Sequence, residues 1–224
     1  MKIYKQQVQM SESFINSAVL AISGGFQDAY TYFTRDKVFS NAQTGNVVLM
    51  SQNFMMGDWR DGLKYLFPFL AFGFGVFVTE QINAKFKMSK KLHWRQIILL
   101  IEILILVIVG FIPESLNMVA TVLVSFSCAM QVQAFRKVNG FAYASTMCIG
   151  NLRSGTDALS VFVRERKIGQ LVKSLHYYGI IFFFAIGAGI GGNLSSSWGI
   201  HTIWVSCVIL LISMLLMWYE KYRK

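Results

Sequence analysis

The chain has 224 residues and a formal net charge of +10, is 54% hydrophobic, and carries charge on only 14% of its positions. A soluble domain of this size carries about 25% charged residues, and the apolar residues here fall into more long blocks than so short a chain could bury away from water. A soluble fold is excluded on that ground. Nucleic acid is excluded as a partner because the basic residues lie in short stretches between apolar blocks, as membrane orientation requires.

Residues 1–12, MKIYKQQVQMSE, are polar, and no small-residue cleavage site follows the first apolar block. That block is read as a retained span, not a signal peptide. Eight segments are apolar enough to consider: 14–33, 41–56, 63–83, 95–112, 116–135, 141–162, 174–193 and 199–219. The first contains Gly24, Gly25, Gln27, Asp28 and Thr31. A carboxylate in a span costs on the order of 3 kcal/mol to insert, so Asp28 either faces a polar interior or sits solvated at the outer interface. The second, NAQTGNVVLMSQNFM, is short and rich in amides. The third carries Gly73, Gly75 and, near its inner end, Glu80; the fourth is unbroken from 97 to 112 except by Glu102. Gln131 and Gln133 lie in the fifth, with Arg136 just after it.

The sixth segment is weakened by Arg153 and Asp157, which stand one helical turn apart and could pair; Arg153 could instead take an anion. Gly187, Gly189, Gly191 and Gly192 crowd the seventh, and Gly187 with Gly191 makes a GxxxG surface for packing within the bundle or across a dimer. The eighth has no charge except on His201. Cys128, Cys148 and Cys207 form no metal spacing and read as small apolar fillers.

Counting basic residues selects the topology. With all eight segments crossing and the N-terminus inside, Lys and Arg divide 11 inside and 9 outside with Arg153 in the membrane; if the second and sixth do not cross fully, they divide 17 to 4. The positive-inside rule favours the second arrangement. The expectation is an all-α integral membrane protein, one membrane domain over 1–224, with six full transmembrane helices. Both termini and the loops 84–94 and 163–173 would be cytoplasmic, with 57–62 and 113–117 outside.

The two weak segments match at an offset of 105: FSNAQTGNVVL (39–49) lies over ASTMCIGNLRS (144–154), pairing Ser40 with Ser145, Gly45 with Gly150 and Asn46 with Asn151. The same offset sets Asp28 against Gln133, and AFGFGV (71–76) matches AIGAGI (185–190) at 114. An internal repeat is expected, approximately 14–112 and 116–219. With an odd number of spans in each half, the second repeat would be inverted. Gly45 and Gly150 are expected helix breaks in re-entrant or broken segments, since glycine tolerates unusual backbone angles. Asn46 and Asn151 would supply donors and acceptors there, or cap their own chain in a plain kink.

The stretches GGFQDAYTYF, QTGN and AMQVQAFRK…CIGNLRSGTDAL resemble the YoaK-like family of bacterial membrane proteins, which is defined by a domain of unknown function. In that family the second motif usually reads TGN; here Ile149 replaces the threonine. The resemblance covers nearly the whole chain and implies a multi-span protein of the bacterial cytoplasmic membrane, with no substrate attached.

No Walker loop, HExxH or GxSxG is present, so no enzyme, catalytic residue, metal or cofactor is expected. The functional expectation is a transporter of a small molecule or ion, with a homodimer in the lipid bilayer as a candidate assembly, binding its substrate at Asp28, Gln43, Asn46, Gln131 and Asn151. The alternatives are a channel of the same architecture and a non-transporting membrane partner or stability protein.

Overall fold

The computed structural model describes residues 9–87 and 93–223. Lys2, Lys5, Lys90, Lys91 and Lys224, and the centre of the predicted 84–94 loop, lie outside the described residues. Among the described residues the chain forms eight α-helices and one small hairpin. In order they are α1 (Phe14–Thr34), α2 (Gln43–Met55), α3 (Trp59–Phe86), α4 (Trp94–Val109), α5 (Asn117–Ala134), β1 (Lys137–Val138), β2 (Phe141–Ala142), α6 (Cys148–Glu165), α7 (Ile168–Trp198) and α8 (Ile203–Arg223).

Side chains fix several helix starts. Ser13 Oγ accepts from Asn16 N at 3.2 Å, Asp58 Oδ1 accepts from Asp61 N at 3.1 Å, and His93 and Gln96 form a reciprocal box before α4. The hairpin turns on Asn139 and Gly140, both at positive φ (47° and 84°), the backbone a two-residue antiparallel turn needs.

Among the described residues three stretches are long and apolar enough to cross a membrane: Trp59–Phe86, Glu114–Ala134 and Ile168–Tyr219, the last joining α7 and α8 across a 3₁₀ turn. The outward surface suits lipid. Phe74, Phe77, Leu104, Ile108, Phe182, Val208 and Leu215 are each more than half exposed, while Ser17, Ser23, Gln27, Thr31, Ser125, Ser127 and Ser206 are buried. In hydrocarbon, burying apolar side chains gains little, so helices associate through close packing and interior polar contacts.

The packing partners recur. α1 lies along α7 and α8, and α5 lies along α3 and α4; α2 packs on α3, α6 packs on α7, and α4 meets α8. Glycines make the long crossings possible. A Cβ on Gly75 would stand 2.5 Å from the Phe126 carbonyl oxygen, and one on Gly191 2.7 Å from that of Phe26. Gly25 and Gly187 abut the Phe184 and Ile22 carbonyls in the same way. The GxxxG pair is therefore used inside the bundle, between α7 and α1.

Two arginines mark opposite ends of the bundle. Arg35, fully buried, follows α1; its Nε donates to Tyr30 Oη (2.9 Å), its Nη1 to Ile112 O and Asn117 Oδ1 (both 2.9 Å), and its Nη2 to Val109 O (3.0 Å). It thereby satisfies carbonyls at the open C-terminal end of α4. Arg95 begins α4 at the other end, donating to Ala134 O at the close of α5 (2.9 Å) and to Ser11 Oγ (2.8 Å), and pairing with Glu12 (2.9 Å).

A cavity between two helix starts

After Arg35 the chain doubles back along α1 instead of leaving the bundle. Asp36 and Lys37 both take left-handed backbone (φ 58°), and three residues later Ser40 Oγ and Asn41 N donate to Asp28 Oδ1 at 3.2 and 2.7 Å. The returning strand is held from the helix side too. Asn46 Oδ1 accepts from Phe39 N at 3.1 Å, and its Nδ2 donates to Phe39 O at 2.6 Å and Gln43 Oε1 at 2.9 Å. The approach to α6 repeats this: Asn151 Oδ1 accepts from Ala144 N at 3.5 Å and its Nδ2 donates to Ala144 O at 2.7 Å. Gln131 Nε2 donates to Ser145 Oγ and to Leu20 O, both at 3.1 Å.

The starts of α2 and α6 open on one cavity of about 810 Å³. Asp28, Asn41, Gln43 and Thr44 line one side; Thr146, Met147, Cys148, Ile149 and Gly150 line the other. Phe69, Leu70, Phe72 and Phe184 from α3 and α7 form its apolar wall. Asn41 Oδ1 and Thr146 Oγ1 are buried and have no hydrogen-bond partner. They occupy equivalent places, five residues before Asn46 and Asn151. Helix starts carry partial positive charge, and two of them face the cavity. At α2 Gln43 N and Gly45 N already donate to Asn41 O and Ala42 O (2.8 and 2.9 Å), so the cavity offers two helix-start dipoles, acceptors from Asp28 and Asn41, and apolar walls.

Of the predicted site residues, the cavity brings together Asp28 and Gln43. Asn46, Gln131 and Asn151 do not line it: each is buried and bonded to backbone, so they position the returning strands. Gly45 and Gly150 are not helix breaks. α2 begins at Gln43 and α6 at Cys148, so each glycine lies in a first helical turn, and the interruption falls upstream at 35–42 and 135–147. No Cβ clash requires glycine at 150, which lines the cavity.

Other expectations also change. Both α1 and α5 end in matching caps, Arg35 N on Thr31 O and Phe135 N on Gln131 O, an offset of 100; the hairpin supplies the extra residues that make 105 hold downstream. Asp28 therefore does not correspond to Gln133, which bonds Glu80 beside Arg136. At the offset of 100 Asp28 falls against Cys128 and Thr31 against Gln131; Gln131 is like Asp28 only in bonding the serine that pairs with Ser40. Arg153 and Asp157 are both exposed and no ion pair joins them.

Cys128 is no apolar filler: its Sγ–H donates to Gln27 Oε1 at 2.8 Å and its sulfur accepts from Asn41 Nδ2 at 3.3 Å. Sequence reasoning passed over Asn41, Thr146 and Cys128. The order of residues before each Gly-Asn pair held a signal for the first two, and the Asn139-Gly140 dipeptide held one for the hairpin.

A second polar cluster lies deeper. Gln27 Nε2 stands 2.9 Å from Ser23 Oγ, 3.0 Å from Ser206 Oγ and 3.1 Å from Glu102 Oε1, and the two serine hydroxyls share a bond of 2.8 Å. Glu102 is fully buried and its Oε2 has no partner.

Fold and cavity together define an all-α protein with helices long and apolar enough to cross a membrane and a half-open cavity of ligand-binding size. The chain belongs to the family described as protein of unknown function (DUF1275), whose model matches residues 17–216. This accords with the resemblance of its motifs to an uncharacterised membrane family. No curated protein and no solved structure matches the chain.

Proposed function

We propose that the chain is a membrane transporter of a small molecule, and that its binding site is the chamber at the facing starts of α2 and α6. The observation that carries this reading is a cavity of ligand-binding size, about 810 Å³, ending on a buried carboxylate and two unpartnered polar atoms. In this reading α1, α3, α4, α5, α7 and α8 cross fully. α2, 13 residues and about 20 Å long at 1.5 Å per residue, is too short to do so. α2 and α6 then enter from opposite sides as parts of an inverted repeat, which the recurring helix pairings support. Both termini face the cytoplasm of a bacterial cell, and a homodimer is the working assembly. The cargo has an apolar body against Phe69, Leu70, Phe72 and Phe184. Its polar head donates to Asp28 and Asn41 and lies against the positive ends of the two helix dipoles.

A thermal-shift screen of the purified protein against a metabolite library tests this, since a ligand that binds only the folded state raises the melting temperature. The expected hit stabilises wild type but not Asp28→Asn at equal folded yield, and shows saturable uptake in proteoliposomes. Ohmic conductance would indicate a channel. Neither activity, with a stably co-purifying protein, would indicate a partner subunit.

A further inference from the structure

We propose a second binding site, for a small monovalent cation, H⁺ or Na⁺, at the carboxyl group of Glu102. It lies apart from the chamber, at the meeting of α1, α4, α5 and α8, and is built from Glu102, Gln27, Ser23, Ser206 and Cys128. The cluster is short of positive charge and of hydrogens. Gln27 Nε2 has two hydrogens and stands within bonding distance of three oxygens, Ser23 Oγ, Ser206 Oγ and Glu102 Oε1. Glu102 Oε2 receives nothing. Gln27 Oε1 is occupied by the Cys128 thiol.

The titratable groups facing Glu102 are Cys128 from α5 and Cys207 from α8, with Asp28 of α1 reached through Cys128; none supplies a positive charge. Among the described residues no ion pair includes Glu102. A buried carboxylate with neither counter-charge nor full hydrogen bonding is strongly disfavoured, and a proton or Na⁺ at Oε2 removes the deficit.

The site also communicates with the chamber. Asp28 Oδ1 accepts from Ser40 Oγ (3.2 Å), Ser40 Oγ accepts from Asn41 Nδ2 (3.4 Å), Asn41 Nδ2 donates to Cys128 Sγ (3.3 Å), Cys128 donates to Gln27 Oε1 (2.8 Å), and Gln27 Nε2 donates to Glu102 (3.1 Å). The two carboxyl groups are thus joined by an unbroken polar chain, suited to coupling cation occupancy to events at Asp28. The cation site rests on its own geometry and not on the transport reading; a channel or a partner subunit could carry it equally.

The test uses the full chain in nanodiscs, with H⁺ and Na⁺ as probes. Melting temperature is measured from alkaline to acid pH, and with NaCl against a large organic chloride. The response is read as the difference between wild type and Glu102→Gln, which cancels surface groups common to both. Wild type is expected to gain about 5–10 °C between empty and saturated sites. Glu102→Gln should be unresponsive and already as stable as saturated wild type, while Asp28→Asn should keep the response. Dependence on pH alone identifies the proton; dependence on Na⁺ identifies sodium. A Glu102→Gln protein that responds like wild type overturns the proposal. If that variant does not fold, infrared spectra of wild type decide: a protonated carboxyl band lost on alkaline titration, or carboxylate bands shifted by Na⁺, supports the site. Neither signal overturns it.

Discussion

Arg35 shows how much one side chain can hold in this interior. Its guanidinium reaches Tyr30, Val109, Ile112 and Asn117, and so ties the end of α1 to the end of α4 and the start of α5. Hydrogen bonds to a charged donor contribute about 1.5–3 kcal/mol each when their loss leaves buried acceptors bare. Arg35→Ala is therefore expected to cost at least about 3 kcal/mol, seen as a lower melting temperature in detergent. Arg35→Lys should recover less than half of it, because an ammonium cannot reproduce the planar fork. A lysine variant as stable as wild type would refute that account. Thr146 is the opposite case. Its buried hydroxyl has no partner, so Thr146→Val should leave stability within about 0.5 kcal/mol while weakening any ligand that fills the chamber. Differential scanning calorimetry and ligand titration on one preparation separate the two effects.

Among the helices, α7 makes the sharpest contrast. A Cβ on Gly187 would collide with the Ile22 carbonyl, whereas one on Gly189, two residues on, would meet nothing within 4 Å. Gly187→Ala is expected to destabilise by about 1–3 kcal/mol by pushing α7 from α1; Gly189→Ala should be neutral. Equal melting temperatures for the pair would show that α7 does not lie against α1 in this way. Asn46→Ala and Asn151→Ala should each loosen a returning strand without unfolding the bundle. Hydrogen exchange would report this as faster exchange around Phe39–Gln43 or Ala144–Cys148 alone.

Much of the element order was legible beforehand because long apolar runs and the two Gly-Asn segments are written plainly in the residue pattern. The start of α2 at Gln43 and of α6 at Cys148 keeps the offset of 105 read from Ser40, Gly45 and Asn46. What could not be read was which polar atoms end without partners. Asn41 and Thr146 fall together at the offset of 105 but share neither letter nor size, and only the fold shows that both end buried without a partner. Nor could the pattern reveal that the hairpin changes the offset upstream of it, which is why Asp28 was set against Gln133. Glu102 was visible as a lone acid in an apolar helix, but its environment depended on Gln27 and Ser206, far apart in sequence.

For the whole molecule, the proposed topology places Asp61 and Arg166 on opposite sides of the membrane. With Cys128, Cys148 and Cys207 replaced, a single cysteine at 61 should react with an impermeant reagent in intact cells, and one at 166 only after lysis; the reverse pattern, or equal labelling, would sink the topology. The apolar outer surface also bears on how heat undoes this fold. Unfolding a soluble chain of this length raises the heat capacity by about 3 kcal/mol/K, because apolar groups become wetted. Here Phe74, Leu104, Phe182 and Leu215 already face outward, so helices parting within lipid expose little new apolar surface to water. The heat-capacity increment in bilayer should fall well below half that value. The stability curve should then be nearly straight with temperature, without the rounded maximum and cold-induced weakness of water-soluble folds.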